Sequence, residues 1–257
     1  MKIIISVNTF WNIYNFRLEL IKTLMSQGHE VFALAPKDDY VSNLEAYGIK
    51  CYNIKLNSKG TNPLKDLSLI FQYYKLFNKI KPDIILSYTI KPNIFGNIAA
   101  RILHIPTINN ISGLGTLFIK TSFTTHIAKL LYKLSLSSSS HIFFQNIVDQ
   151  QLFIETKLVQ SKKASMIPGS GVDINKFSCK RTKNEGNRFL FVGRLIADKG
   201  VLEYLEAAVS ILKTHPNKEF FLVGEMGCNN RTALLQEDID RYTKKYSQIK
   251  YLGKTDD

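Results

Sequence analysis

Short apolar runs alternate with amphipathic stretches along nearly the whole chain. Residues 2–7 form an apolar run of strand length, and residues 8–15, rich in Asn and aromatics, read as the loop that follows. Phe16, Leu20 and Leu24, with Ile21 and Met25, then fall at helical spacing over 16–26, and Gly28 supplies a C-cap. Residues 30–35 are a second strand closed by Pro36, 40–47 a helix ending at Gly48, and 50–54 a third strand. The alternation goes on. A helix opens at Asn62-Pro63 and runs to residue 80, 83–87 is a strand, 92–103 a helix and 106–109 a strand. After a Gly-bearing loop at 111–115 come a helix over 123–136, a strand over 141–144, a helix over 146–156 and a strand over 163–167. Strict alternation of this kind predicts a doubly wound parallel α/β sheet.

Residues 168–187 break the pattern with Gly, Ser, Asn and charges, which places a domain boundary there. The predicted organisation is a first domain over 1–168, a linker over 169–187 and a second domain over 188–257. The second domain reads as strand 188–192, helix 201–213, strand 219–223, helix 232–246 and strand 249–252. Three strands fall short of the roughly five or six of a doubly wound domain, so this one reads as incomplete.

Composition narrows the picture without deciding it. Hydrophobic residues make up 45% of 257, enough for a sizeable core. Three scattered cysteines show no metal spacing and suit a reduced, cytoplasmic compartment. The apolar start is too short for a signal peptide, and no apolar run is long enough to span a bilayer. The formal charge of +13 fits nucleic acid, an anionic membrane surface or an anionic substrate. Its basic residues are spread along the chain and carry no nucleic-acid-binding signature, so nucleic acid is not expected as a partner.

Candidate chemistry centres on residues 189–200, Phe-Leu-Phe-Val-Gly-Arg-Leu-Ile-Ala-Asp-Lys-Gly. The first half reads as a buried parallel strand and the second as a turn opening a helix. Arg194 and Lys199 then sit at the carboxyl end of a strand beside the amino end of a helix, an arrangement suited to a diphosphate. The bland alternative is two solvated cations on a βα loop. Asp238-Ile239-Asp240 has the form of a metal-binding pair, but its charged helical context favours a solvated face. The five histidines are isolated and show no ligand spacing. Residues 62–81 and 118–136 mix aromatics, Leu and Lys. They read as helices packed on the sheet with snorkelling lysines, or as a face for anionic lipid.

Gly171-Val172-Asp173 with Phe177, then Phe191-Val192-Gly193-Arg194-Leu195 with Lys199-Gly200, then Phe221-Leu222-Val223-Gly224-Glu225, resemble the family-four glycosyltransferases of GT-B fold. Lys91-Pro92-Asn93-Ile94-Phe95-Gly96 and Ile111-Ser112-Gly113-Leu114-Gly115 resemble the branch that extends lipid-linked oligosaccharides in bacteria, including N-acetylgalactosaminyl transferases of O-antigen assembly. The resemblance implies two Rossmann-like domains, a retaining transfer of a hexose or N-acetylhexosamine from a UDP-sugar, no metal or other cofactor, and a polyprenyl-diphosphate-linked acceptor. A protein of this kind works in the cytoplasm, peripherally at the inner membrane face. By the same resemblance Arg194 and Lys199 hold the donor diphosphate, and Gly171, Gly193 and Glu225 lie near the nucleotide. Asn8, Lys91, Asn110, Gly113 and Gly115 border the acceptor side. The His that many relatives carry after the fourth strand is missing from Ser87-Tyr88-Thr89-Ile90-Lys91, so no catalytic base is assigned. The family's Glu-x7-Glu motif normally falls beyond residue 257, which implies a truncated donor domain. The alternatives are an inactive remnant that binds acceptor and a UDP-sugar epimerase of similar architecture, which would need a full donor domain and carboxylates in the cleft.

Overall fold

The computed structural model describes residues 1–57, 62–113, 123–178, 186–227, 230 and 232–255. The chain folds as two compact units, Met1–Ser178 and Cys179–Asp257. The first unit is built on β1 (Lys2–Ser6), β2 (Glu30–Ala35), β3 (Lys50–Asn53), β4 (Ile84–Tyr88), β5 (Thr107–Ile111), β6 (His141–Phe144) and β7 (Ala164–Met166). These pair in parallel throughout, in the order β3-β2-β1-β4-β5-β6-β7. Its helices are α1 (Phe10–Ser26), α2 (Val41–Glu45), α3 (Pro63–Ile80), α4 (Asn97–Ile102), α5 (Phe123–Leu136) and α6 (Ile147–Glu155).

The strand order explains why the strands read as continuous apolar runs. β1 is buried on both faces: Ile5 and Val7 belong to the cluster with α1 and α2, while Ile4 belongs to the cluster with α3 and α4. The chain leaves β1 toward β2 on one side and later returns as β4 on the other. The β1–β4 junction is therefore the switch point, where the carboxyl ends of the strands open a crevice.

The start of α1 corrects the reading of residues 8–15 as a loop. Thr9 is the N-cap, its hydroxyl accepting from the Asn12 N–H at 3.0 Å, and the helix runs from Phe10. The face turned to the core is Phe10, Ile13, Arg17 and Ile21, while Phe16 and Leu20 are exposed. Two apolar stripes compete in this stretch, and the one containing an Arg is the buried one. α3 is legible because its signals are local: Asn62 caps it through the N–H groups of Leu64 and Lys65, with Pro63 in its first turn. The expected 92–103 helix is a π-helical turn over Pro92–Gly96 continued by α4.

The second unit holds β8 (Arg188–Val192), α7 (Val201–Leu212), β9 (Glu219–Val223), α8 (Gln236–Thr243) and β10 (Ile249–Tyr251). Its three strands are parallel in the order β10-β9-β8. The expectation of a buried β8 is not met. Among the described residues β8 is an edge strand paired with β9 alone, and Phe189, Leu190 and Val192 are exposed at 39%, 58% and 66%. One side is held by α7, whose Tyr204 hydroxyl donates to the carbonyls of Phe189 and Phe221. α8 is shorter than expected because the preceding residues are otherwise engaged: Ala233 forms an antiparallel bridge with Ile196.

Candidate active site

In the second unit the strand ends bring three of the expected residues, Gly193, Arg194 and Glu225, onto neighbouring loops. Gly193 and Arg194 follow β8, and Gly224 and Glu225 follow β9. The loops are stitched by backbone hydrogen bonds, Gly193 N–H to Val223 O at 3.0 Å and Leu195 N–H to Glu225 O at 2.9 Å. Ala197–Lys199 forms a 3₁₀ turn, and Gly200, with φ +76°, is the N-cap of α7. The left-handed conformation of Gly200 lets Lys199 sit at the mouth of that helix. Arg194 and Lys199 are both exposed, and neither takes part in an ion pair among the described residues. Two cations outside any ion pair thus stand beside the amino end of a twelve-residue helix, an arrangement that suits an anion, with Asp198 and Glu203 as their acidic neighbours. Gly171, with φ +77°, falls in the first unit, on the turn where Asp173 accepts from the N–H groups of Asn175 and Lys176.

In the first unit Asn8, Lys91, Asn110 and Gly113 lie on β5 or on the segments leaving β1, β4 and β5, all at the carboxyl edge of the sheet. Gly115, with Leu114 and Thr116, lies outside the described residues. Lys91 is not a free cation: its Nζ pairs with Asp66 Oδ1 on α3 at 2.5 Å, and both side chains are largely buried. Behind this edge Asn110 is joined by three asparagines that the sequence reading did not assign to the site. Asn97 and Asn109 exchange amide hydrogen bonds at 2.9 and 3.0 Å, and Asn97 also donates to Ser139 Oγ. Asn109 donates to Asn93 Oδ1 at 2.8 Å, and Asn93 donates to the Asn110 carbonyl at 2.9 Å. All four asparagines are buried. The network ties the Pro92–Gly96 turn and α4 to β5, and so fixes where Lys91 and Asn110 stand. Its one sequence signal is Asn at 93 and 97, four apart in an otherwise apolar stretch.

These groups suit binding and charge stabilisation better than covalent chemistry. Burial pushes the Cys51 thiol up to about 12, which leaves no thiolate at neutral pH. Asp238 and Asp240 have local partners on a solvated helix: Asp238 accepts from the Leu235 N–H, and Asp240 pairs with Lys244 at 2.7 Å. Among the described residues no three His, Cys, Asp or Glu side chains are grouped to hold a metal.

Comparison with known proteins bears on this geometry. The Anabaena HepE structure in complex with UDP-glucose superposes with a TM-score of 0.71 at 16% identity, covering 99% of this chain and 69% of that one. It shows a shared fold. A Campylobacter jejuni N,N'-diacetylbacillosaminyl-diphospho-undecaprenol alpha-1,3-N-acetylgalactosaminyltransferase is 28% identical over 243 residues, spanning 88% of this chain and 64% of that protein. The Escherichia coli UDP-Gal:alpha-D-GlcNAc-diphosphoundecaprenol alpha-1,3-galactosyltransferase is 26% identical over 204 residues, spanning 74% of this chain and 51% of that protein. The chain thus spans less than two-thirds of the length of these curated relatives. The family model described as glycosyl transferase 4-like matches residues 2–146, more than half of the chain and most of the seven-stranded unit, and the chain belongs to that family.

Proposed function

We propose that the chain is part of a retaining glycosyltransferase that moves a hexose or N-acetylhexosamine from a UDP-sugar to a polyprenyl-diphosphate-linked glycan. The observation that carries this reading is the unpaired Arg194 and Lys199 at the β8 end and the α7 start, in a chain of the glycosyl transferase 4-like family. Leaving UDP develops charge on its diphosphate, and two cations carried by a strand–turn–helix neutralise it. The relatives whose names specify undecaprenyl-diphosphate sugars supply the acceptor class. The test is calorimetric titration of UDP into the parent and into Arg194→Ala/Lys199→Ala. Removing charge-assisted contacts to phosphate is expected to weaken binding at least about tenfold. Parent-like affinity in the double variant would refute the assignment.

The acceptor class also gives a role to two exposed stripes. Leu64, Leu67 and Phe71 on α3, and Ile127, Leu130 and Leu134 on α5, recur at helical spacing and face solvent. Lysines accompany both, Lys75 lying 4.5 Å over the Phe71 ring and Lys133 on α5. No helix among the described residues is long and apolar enough to cross a membrane. A peripheral contact with anionic lipid fits aliphatic stripes flanked by cations. Leu67→Asp/Leu130→Asp is expected to abolish co-sedimentation with phosphatidylglycerol vesicles. Undiminished sedimentation would remove these stripes from the membrane contact.

A further inference from the structure

Five buried side-chain atoms among the described residues have no hydrogen-bond partner: Asn8 Oδ1, Asn12 Oδ1, Arg17 Nε, Ser87 Oγ and Thr89 Oγ1. They fall in two stretches of the chain, residues 8–17 and 87–89, which only the fold brings together. All five belong to the β1–α1 segment or to the carboxyl end of β4, the adjacent strand. The register pairs Ser6 with Ser87, so Asn8 and Thr89 each stand two residues past the last paired position. Buried polar groups are nearly always paired in folded proteins, so a concentration of orphans at a switch point marks a place where a ligand completes the bonding. Thr89 adds strain. Its φ is +64°, a region that a β-branched residue enters at a cost, and such costs gather at ligand sites.

Arg17 identifies the ligand's charge. Its side chain is 6% exposed, with the guanidinium 4.1 Å from the centre of the Tyr88 ring. Its hydrogen bond goes from Nη1 to the carbonyl of Phe16 at 2.8 Å, and no carboxylate among the described residues pairs with it. Burial lowers its pKa, opposed by the coulombic influence of Tyr88, yet an arginine keeps its proton at any physiological pH. A buried cation without a counter-charge is costly, and ring stacking offsets only part of that cost. Asp38, on the loop after β2, is committed elsewhere, accepting from the Trp11 and Tyr40 N–H groups.

We infer that Arg17 is the cation of an anion site at the β1–β4 switch point, taking the phosphate of a phosphorylated saccharide whose hydroxyls meet Asn8, Asn12 and Thr89. The inference rests on the sugar-transfer reading for its ligand class, and its residues lie in the first unit, whereas Arg194 and Lys199 lie in the second. Two sources could supply the phosphate: the lipid-linked acceptor or the sugar nucleotide.

Titrations of geranyl diphosphate and of UDP are run on the full chain, on Arg17→Gln and on Arg194→Ala/Lys199→Ala. Arg17→Gln is expected to weaken one of the two ligands at least about tenfold. Loss of geranyl diphosphate assigns the site to the acceptor, and loss of UDP assigns it to the donor. If the folded Arg17→Gln variant binds both as the parent does, the site is refuted, whatever the double variant shows. If only the double variant loses affinity, the donor assignment stands and this one falls. A second measurement avoids dependence on the variant's folding. The ¹⁵Nε–¹Hε signal of Arg17 in the unsubstituted chain, identified by its absence in Arg17→Lys, is expected to move on adding the bound ligand. An unmoved signal at saturating concentrations of both ligands overturns the proposal.

Discussion

Gly224→Ala is expected to lower the stability of the second unit by about 2–5 kcal/mol and to abolish UDP binding there. A Cβ at this position would lie 1.8 Å from the carbonyl oxygen of Gly193 and 2.6 Å from its carbon. These are backbone atoms, so no side chain can swing aside. Either β8 and β9 part at their carboxyl ends or the loops rebuild. Overpacking of this kind costs about 1–3 kcal/mol. The φ of +149° adds strain of about 1–2 kcal/mol for any residue with a side chain. The functional loss follows from the same contact. Arg194 succeeds Gly193, and the Leu195 N–H is bonded to the Glu225 carbonyl, so displacing Gly224 displaces the cation. Gly227→Ala is the control. Its φ is +63°, yet nothing lies within 4 Å of an added Cβ. It should cost about 1 kcal/mol and leave UDP binding intact. Equal losses in urea unfolding of the two variants would show that backbone strain, not the close approach of the loops, sets the requirement for glycine.

What the sequence reveals of this protein divides by the range of the interaction. Caps, glycines and apolar runs act within a few residues, and they place β2, α3, β6, β8 and β9 at or within a residue of their observed bounds. They also suffice for the doubly wound class. Which of two apolar stripes turns inward is a tertiary matter that the spacing over 16–26 leaves open: the inward stripe carries Arg17, whose guanidinium lies over the ring of Tyr88, seventy-one positions away in the chain. The same limit applies to β8. Phe189-Leu190-Phe191-Val192 has the composition of a central strand, and the pairing that leaves it at an edge is not encoded locally. Arg194 and Lys199 are legible because strand, turn and helix are contiguous. The asparagine network is not, because Asn109 meets Asn93 and Asn97 only once β5 lies beside the Pro92–Gly96 turn.

Asn109→Ala is expected to cost the first unit about 3–6 kcal/mol, although Asn109 touches no candidate ligand. Its amide donates to Asn93 Oδ1 and Asn97 Oδ1 and accepts from Asn97 Nδ2, at zero exposure. Truncation leaves two carbonyl oxygens buried without donors, each costing about 1–3 kcal/mol, and opens a small cavity. Asn97 Nδ2 keeps its bond to Ser139 Oγ, which limits the damage. Asn109→Asp separates hydrogen bonding from volume, because the shape is conserved while the donor is lost. A carboxylate there would face the Asn93 and Asn97 carbonyls, so burial and repulsion raise its folded-state pKa above the ordinary value of about 3.9. The sign follows: above that ordinary value the unfolded state ionises freely while the folded state resists. The variant is therefore penalised most near pH 7 and recovers toward the parent as pH falls to 5 and below. Paired urea titrations at pH 7 and pH 5 test this. A pH-independent difference between Asn109→Asp and the parent would mean that Asn109 is not held in a closed network, and that Lys91 and Asn110 are positioned by strand pairing alone. A closed network instead predicts that both substitutions loosen the Pro92–Gly96 turn from β5, with faster amide exchange at Asn93 in each variant.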